Sequence, residues 1–126
     1  MPVFERLEVW REAVELVREC YALAKLIPWQ EDGGLRQQIR RAAVSTAVNI
    51  AEGRGRGSPR DFRRFLRISR GSLVEVEALV TLTVHLAFIK PDVAAPIFRR
   101  SIRLARQLDG LSAALLNREK KAKPDA

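Results

Sequence analysis

Apolar residues recur along this chain at helical spacing in four segments. In the first, from about Val3 to Ile27, the residues Val3, Leu7, Trp10, Val14, Val17, Tyr21 and Ala24 fall at heptad intervals. A second stripe, Val9, Ala13, Leu16, Cys20, Leu23 and Ile27, lies about 120° further round the same helix. Together they make an apolar sector wider than one packing face requires, which predicts contact with a second molecule as well as with the protein's own core. Glu5, Glu8, Glu12, Glu15 and Glu19 occupy the remaining face. They either form local pairs, such as Glu8–Arg11 and Glu15–Arg18, or meet an arginine face on a neighbouring helix or subunit.

Pro28 ends the first helix and Trp29 to Gly34 form a loop hinged at Gly33-Gly34. The second helix, about Leu35 to Glu52, is small-sided, with Ala42, Ala43, Ser45, Ala47 and Ala51 permitting close approach. Ser45 and Asn49, one turn apart, require hydrogen-bond partners in a core and are expected to use each other or a facing backbone group. Gly53 is placed to terminate this helix as its C′ residue. After the Arg54-Gly55-Arg56-Gly57 turn, Ser58 suits an N-cap, Pro59 the first helical position and Asp61 the third residue of a capping box. The third helix is expected to run to about Ile89. Its inner stripe is Phe62, Leu66, Ser69, Leu73, Val76, Val80, Thr83 and Ala87, with Arg60, Arg63, Arg64, Arg67 and Arg70 on the opposite side. Pro91 breaks it and Asp92 can cap a fourth helix, whose seam is Leu104, Leu108, Leu111 and Leu115 and whose arginine row is Arg99, Arg103 and Arg106. Frayed, lysine-rich chain follows from Asn117. The elements predict an all-α fold: an antiparallel up-down-up-down four-helix bundle over residues 1–118, with a flexible basic tail over 119–126.

Charge sharpens the picture. The 126 residues carry 23 Lys and Arg against 15 acids, a formal charge of +8. Between Leu35 and Gly71 there are ten arginines and only Glu52 and Asp61, a surplus of eight, while the rest of the chain balances thirteen cations with thirteen acids. A basic segment this polarised points to a polyanion, nucleic acid before a membrane surface. A merely solubilising arginine surface is the plain alternative. No apolar run approaches the roughly 18 residues of a membrane span, and the acids in MPVFERLEVW do not suit a secretory leader. A single cysteine, Cys20, precludes an internal disulfide and suits a reducing, cytoplasmic setting.

Catalytic chemistry has little to stand on. No metal-ligand spacing occurs, no cofactor motif is present, and the one histidine, His85, reads as a core or boundary residue. Cys20 lies in an apolar stripe and reads as an inert buried thiol. Glu52 is expected to cap or to pair with arginine. The Arg54–Gly57 turn leading into a helix N-terminus can cradle phosphate, although it lacks the Gly-Lys-Ser/Thr ending of a Walker loop.

The run Phe4…Leu7…Val9-Trp10, then Pro28…Glu31…Leu35…Gln38-Ile39-Arg40-Arg41-Ala42-Ala43-Val44-Ser45, resembles a bacterial family of four-helix bundles. The likeness continues through Asn49-Ile50-Ala51-Glu52-Gly53, Arg56, Ser58, Phe62, Phe65-Leu66 and Gly71-Ser72-Leu73. The family is that of proteins encoded in intervening sequences of 23S ribosomal RNA genes, also called the S23 family. The similarity covers about Val3 to Ile89. Thr46 departs from the more usual Ile or Val, and the third helix carries extra arginine. Family members are similar to accessory proteins of diversity-generating retroelements, which form pentameric barrels and partner a reverse transcriptase and its RNA. The resemblance therefore implies a ring-like homo-oligomer, a pentamer, with a reverse transcriptase as a further partner. The expected function is non-enzymatic nucleic-acid binding, RNA first, through Arg36, Arg40, Arg41, Arg54, Arg56, Arg60, Arg63, Arg64, Arg67 and Arg70. The alternative is a protein-interaction module whose arginine face docks an acidic protein.

Overall fold

Prolines and glycines at the connections divide the chain into four helices. The computed structural model describes residues 2–122. A 3-10 turn over Val3–Arg6 precedes α1 (Glu8–Ala24), and α2 (Gln37–Gly55), α3 (Pro59–His85) and α4 (Pro91–Ala122) follow. Among the described residues there is no strand. α2 and α3 share the most extensive contact; α3 also packs on α4, and α1 packs on both α2 and α4. One apolar core joins them, with Leu16 and Ile27, Ile39 and Ile50, Leu66 and Leu73, and Ile97, Leu104 and Leu108 all at 2% exposure or less.

The first helix is shorter than its periodicity suggests. Leu7 is extended (φ −73°, ψ 128°), so the heptad stripe breaks there, and Arg11 spans the break by donating to the carbonyls of Arg6 (2.8 Å) and Glu5 (3.4 Å). The core seam of α1 is the second stripe, Val9, Ala13, Leu16, Cys20 and Leu23, joined by Ala24. Leu7, Trp10 and Val17 of the heptad stripe are half-buried at its edge, and Trp10 meets Phe4 edge-on at 4.7 Å between ring centroids.

Between α1 and α2 the chain makes a wide turn over Asp32–Arg36, with Gly34 off helical backbone angles (φ −112°, ψ −112°). Arg36 closes this turn. Its Nε donates to the Ile27 carbonyl at 2.7 Å and Nη2 to the Lys25 carbonyl at 3.3 Å, satisfying acceptors at the C-terminal end of α1.

Gly53 does not terminate α2. It is buried inside the helix, which continues to Gly55, and the left-handed residue that turns the chain is Gly57 (φ 85°). Gly53 is required for closeness: a Cβ there would lie 2.7 Å from the Phe65 Cβ and 2.9 Å from Phe62 Cδ1. Across the same contact Ser69 Oγ donates to the Thr46 carbonyl at 2.7 Å, and the Ser45 and Ser72 hydroxyls meet at 2.8 Å. Ser58 caps α3 as expected, its hydroxyl accepting the Asp61 N–H at 3.1 Å with Pro59 at the start of the helix.

The inner stripe of α3 is buried from Phe62 to Thr83. The helix then stops at His85, four residues before the expected end, because Ala87 adopts φ 63°. Ala87 N–H donates to Val84 O (2.9 Å) and Phe88 N–H to Thr83 O (3.1 Å), the bonding of a Schellman cap with alanine where glycine is favoured. Left-handed backbone costs an L-residue about 1–2 kcal/mol. Ala87→Gly is therefore expected to stabilise the fold by about 1 kcal/mol and to raise the melting temperature by roughly 4 °C. An unchanged or lower melting temperature would contradict the cap.

α4 runs through Asn117, where fraying was expected to begin, and reaches Ala122; Glu119, within that stretch, is held by Arg63. The last four residues of the expected tail lie outside the described residues.

Candidate nucleic-acid interface

The ten arginines of the basic segment separate into those the fold uses and those it leaves to solvent. Arg36 is the turn-closing residue described above, and Arg40 is held by Asp32 at 3.1 Å. Arg56 pairs with Glu52 at 3.2 Å, as Glu52 was expected to do, and stacks on Phe65 with its guanidinium carbon 4.8 Å from the ring centroid. Arg64 covers the same ring at 4.6 Å and lies 3.9 Å from Asp61. Arg70 meets Asp109 of α4 at 3.4 Å. Arg41, Arg54, Arg60 and Arg67 are exposed and have no ion-pair partner among the described residues.

Arg63 departs from the single exposed row. At 100° per residue, Arg60, Arg64 and Arg67 point away from the core, whereas Arg63 and Arg70 lie on the flank toward α4. The Arg63 side chain is only 25% exposed and donates from Nη2 to Glu119 at 2.9 Å. Replacing it would strand a largely buried carboxylate, so Arg63 is not the inconsequential surface position that the helical pattern suggests.

Arg60 and Arg67, together with Arg63 and Arg64, line a surface cleft of about 810 Å³ shared with Ser58, Asp61 and Ile68, while Arg41 and Arg54 lie outside it. The capped N-terminus of α3 lies at this cleft, adding the positive end of its dipole. A second cleft of about 430 Å³ follows between α3 and α4, lined by Arg63, Arg67, Arg70, Asp109 and Leu116 among others. Phe62 and Phe65 are buried, and the face of Phe65 is already taken by two guanidinium groups, so these clefts offer cations and N–H donors but no free aromatic surface.

A family model described as 23S rRNA-intervening sequence protein matches residues 5–110, which takes in α1, α2, α3 and most of α4. The chain belongs to that family. A crystal structure of a protein from the S23 ribosomal protein family of Bacteroides thetaiotaomicron is similar in fold, with a TM-score of 0.74. Its sequence is 23% identical, and the match covers 82% of this chain and 97% of that one. No curated protein matches the chain.

In this family member the remaining candidate groups have structural surroundings. Asn49 donates to the Ser45 carbonyl at 2.8 Å and hydroxyl at 3.1 Å, the local polar pairing expected of them. Cys20 is fully buried, and burial, reinforced by the neighbouring Glu19 charge, pushes its thiol up to about 12, where it is neither nucleophile nor ligand at neutral pH. His85 is exposed at the end of α3 rather than set in the core or at its boundary. Among the described residues no group of three or more His, Cys, Asp or Glu is placed to hold a metal ion, and no helix is long and apolar enough to cross a membrane.

The acidic stripe of α1 serves the fold. Arg100 of α4 bonds both Glu12 (2.6 Å) and Glu19, and Arg103 reaches Glu12 at 3.4 Å. These contacts hold the Arg100 guanidinium above its ordinary pKa, the Glu19 hydrogen bond contributing most. Glu15–Arg18 forms the expected local pair at 3.3 Å, but Glu8 accepts from Gln107 (3.4 Å) instead of meeting Arg11. Arg100 lay outside the Arg99, Arg103 and Arg106 row, and only the face it shares with Ile97 and Leu104 marks it as inward-leaning.

Proposed function

We propose that this protein is a non-enzymatic, oligomeric RNA-binding protein that grips phosphate backbone through the solvent-facing arginines at the α2–α3 turn and along the start of α3. The observation that carries this reading is that Arg54, Arg60 and Arg67 remain exposed and unpaired among the described residues while neighbouring arginines are neutralised within the fold. Phosphate contacts position a nucleic acid without reading its bases, and the lack of a free aromatic surface in the clefts favours backbone charge and duplex shape over base stacking.

In the proposed architecture the helices form an antiparallel, up-down-up-down bundle. In support, cross-helix partners run in opposite directions: Arg63–Glu119, Arg70–Asp109 and Ser101–Glu77 between α3 and α4, and Gln107–Glu8, Arg103–Glu12 and Arg100–Glu19 between α4 and α1. The bundle assembles into a homo-oligomeric ring, a pentamer by its resemblance to retroelement accessory proteins, with a reverse transcriptase as a partner in the cytoplasm. Exposed Tyr21, Val44 and Val48 line a groove of about 510 Å³ between α1 and α2, with Arg40 and Arg41 beside them, a partly apolar face suited to a second copy. Around such a ring the free arginines of each protomer repeat and form a positive track.

A filter-binding titration over a range of salt concentrations tests the reading. Log affinity for RNA should fall linearly with log salt, and Arg60→Ala with Arg67→Ala should weaken all sequences alike and flatten the slope by about one unit per lost contact. Thermal stability should change by no more than about 0.5 kcal/mol, since both side chains are exposed. Absence of RNA and DNA retention at low salt would overturn the proposal, and docking of an acidic protein on the same arginines would take its place.

A further inference from the structure

Arg63 lines both basic clefts, with Arg60 and Arg67 one turn away on either side and Arg70 beyond. A carboxylate already occupies it, but incompletely. Glu119 engages Nη2 alone at 2.9 Å, while Arg63 Nε is buried with no hydrogen-bond partner. A guanidinium presents Nε–H and Nη–H as a parallel fork that suits two oxygens of one anion, and a buried donor left unpaired is unfavourable. Glu119 therefore satisfies the charge of Arg63 without filling its fork. It is also carried on the last turn of α4, where a helix end is least firmly held.

We propose that Arg63 is a phosphate subsite and that Glu119 is its internal competitor, a carboxylate held where a backbone phosphate oxygen binds in the complex. This rests on the RNA-binding reading above. When RNA arrives along Arg60 and Arg67, a phosphate takes Nη2 and Nε of Arg63 together and Glu119 swings out with the end of α4. The free protein thus keeps its most buried cation of the cluster compensated, and affinity is set below what the arginines alone would give.

The test compares Glu119→Gln with Glu15→Gln, an equal change in net charge at an exposed site on α1, using a short RNA duplex at fixed low salt. Glu119→Gln should bind about three- to tenfold more tightly than wild type with the salt slope little changed, since Arg63 meets the same phosphate in both complexes. Glu15→Gln should change affinity much less, and adding Arg63→Ala to Glu119→Gln should abolish the gain. Melting curves of each variant establish that it is folded. If wild type retains RNA but Glu119→Gln binds no tighter than Glu15→Gln, or keeps its gain without Arg63, the competitor role is overturned and RNA binding stands. If neither wild type nor Glu119→Gln retains RNA at low salt, both proposals fall together.

Discussion

Gly53→Ala should lower the melting temperature by roughly 8 °C, corresponding to about 2 kcal/mol. In an ordinary helix interior this substitution stabilises, by about 1 kcal/mol. Here the new methyl would meet the Phe65 Cβ at 2.7 Å and the Phe62 carbonyl at 3.2 Å. Neither is the tip of a flexible side chain, so α2 and α3 must separate, lengthening the Ser69–Thr46 and Ser45–Ser72 hydrogen bonds beside them. Gly71 in α3 and Gly110 in α4 are helical too, but a Cβ at either meets nothing within 4 Å. Alanine at those two positions should raise stability by about 0.5–1 kcal/mol each. Three glycine-to-alanine changes with the same chemistry thus divide by sign, and melting curves at one protomer concentration read the difference. A stabilised Gly53→Ala would refute the close α2–α3 contact.

Leu73→Ala should be at least as damaging, with a loss of about 2–5 kcal/mol, or roughly 8–20 °C. Leu73 is fully buried at the middle of the α3 seam, one residue from the Ser72–Ser45 contact that restricts collapse around the vacated space. Arg67→Ala, on the exposed side of the same helix, should stay within about 0.5 kcal/mol. Denaturant titration of the two variants measures the contrast, and equal losses would mean that the faces of α3 are wrongly assigned.

The seam of α3 was legible from spacing because Phe62 to Thr83 follow one helical stripe, Ser69 and Thr83 included, although Ala87, expected to extend it, lies exposed beyond the helix end. α1 was harder to read: two stripes compete there, and only packing against α2 and α4 decides that Val9 to Leu23 is the inward one. Gly53 misled for a physical reason. A glycine followed by Arg-Gly-Arg-Gly carries every local sign of a helix stop, whereas its actual constraint comes from Phe62 and Phe65 across the interface. The charge of the basic segment was readable, but its division was not. Whether an arginine is free depends on acids far along the chain, such as Glu119 for Arg63 and Asp109 for Arg70, which no local pattern brings together.

The two guanidinium groups stacked on Phe65 bear on the entropy of recognition. A free arginine side chain has about 2 kcal/mol of rotamer freedom to lose when it settles on a ligand. Arg56 and Arg64 have surrendered part of theirs already, because each guanidinium lies against the buried Phe65 ring, 4.8 and 4.6 Å from its centroid. Arg54, Arg60 and Arg67 have not. In the proposed RNA complex, fixing Arg56 and Arg64 would therefore cost less entropy than fixing Arg54, Arg60 and Arg67, a difference in rigidity rather than in charge.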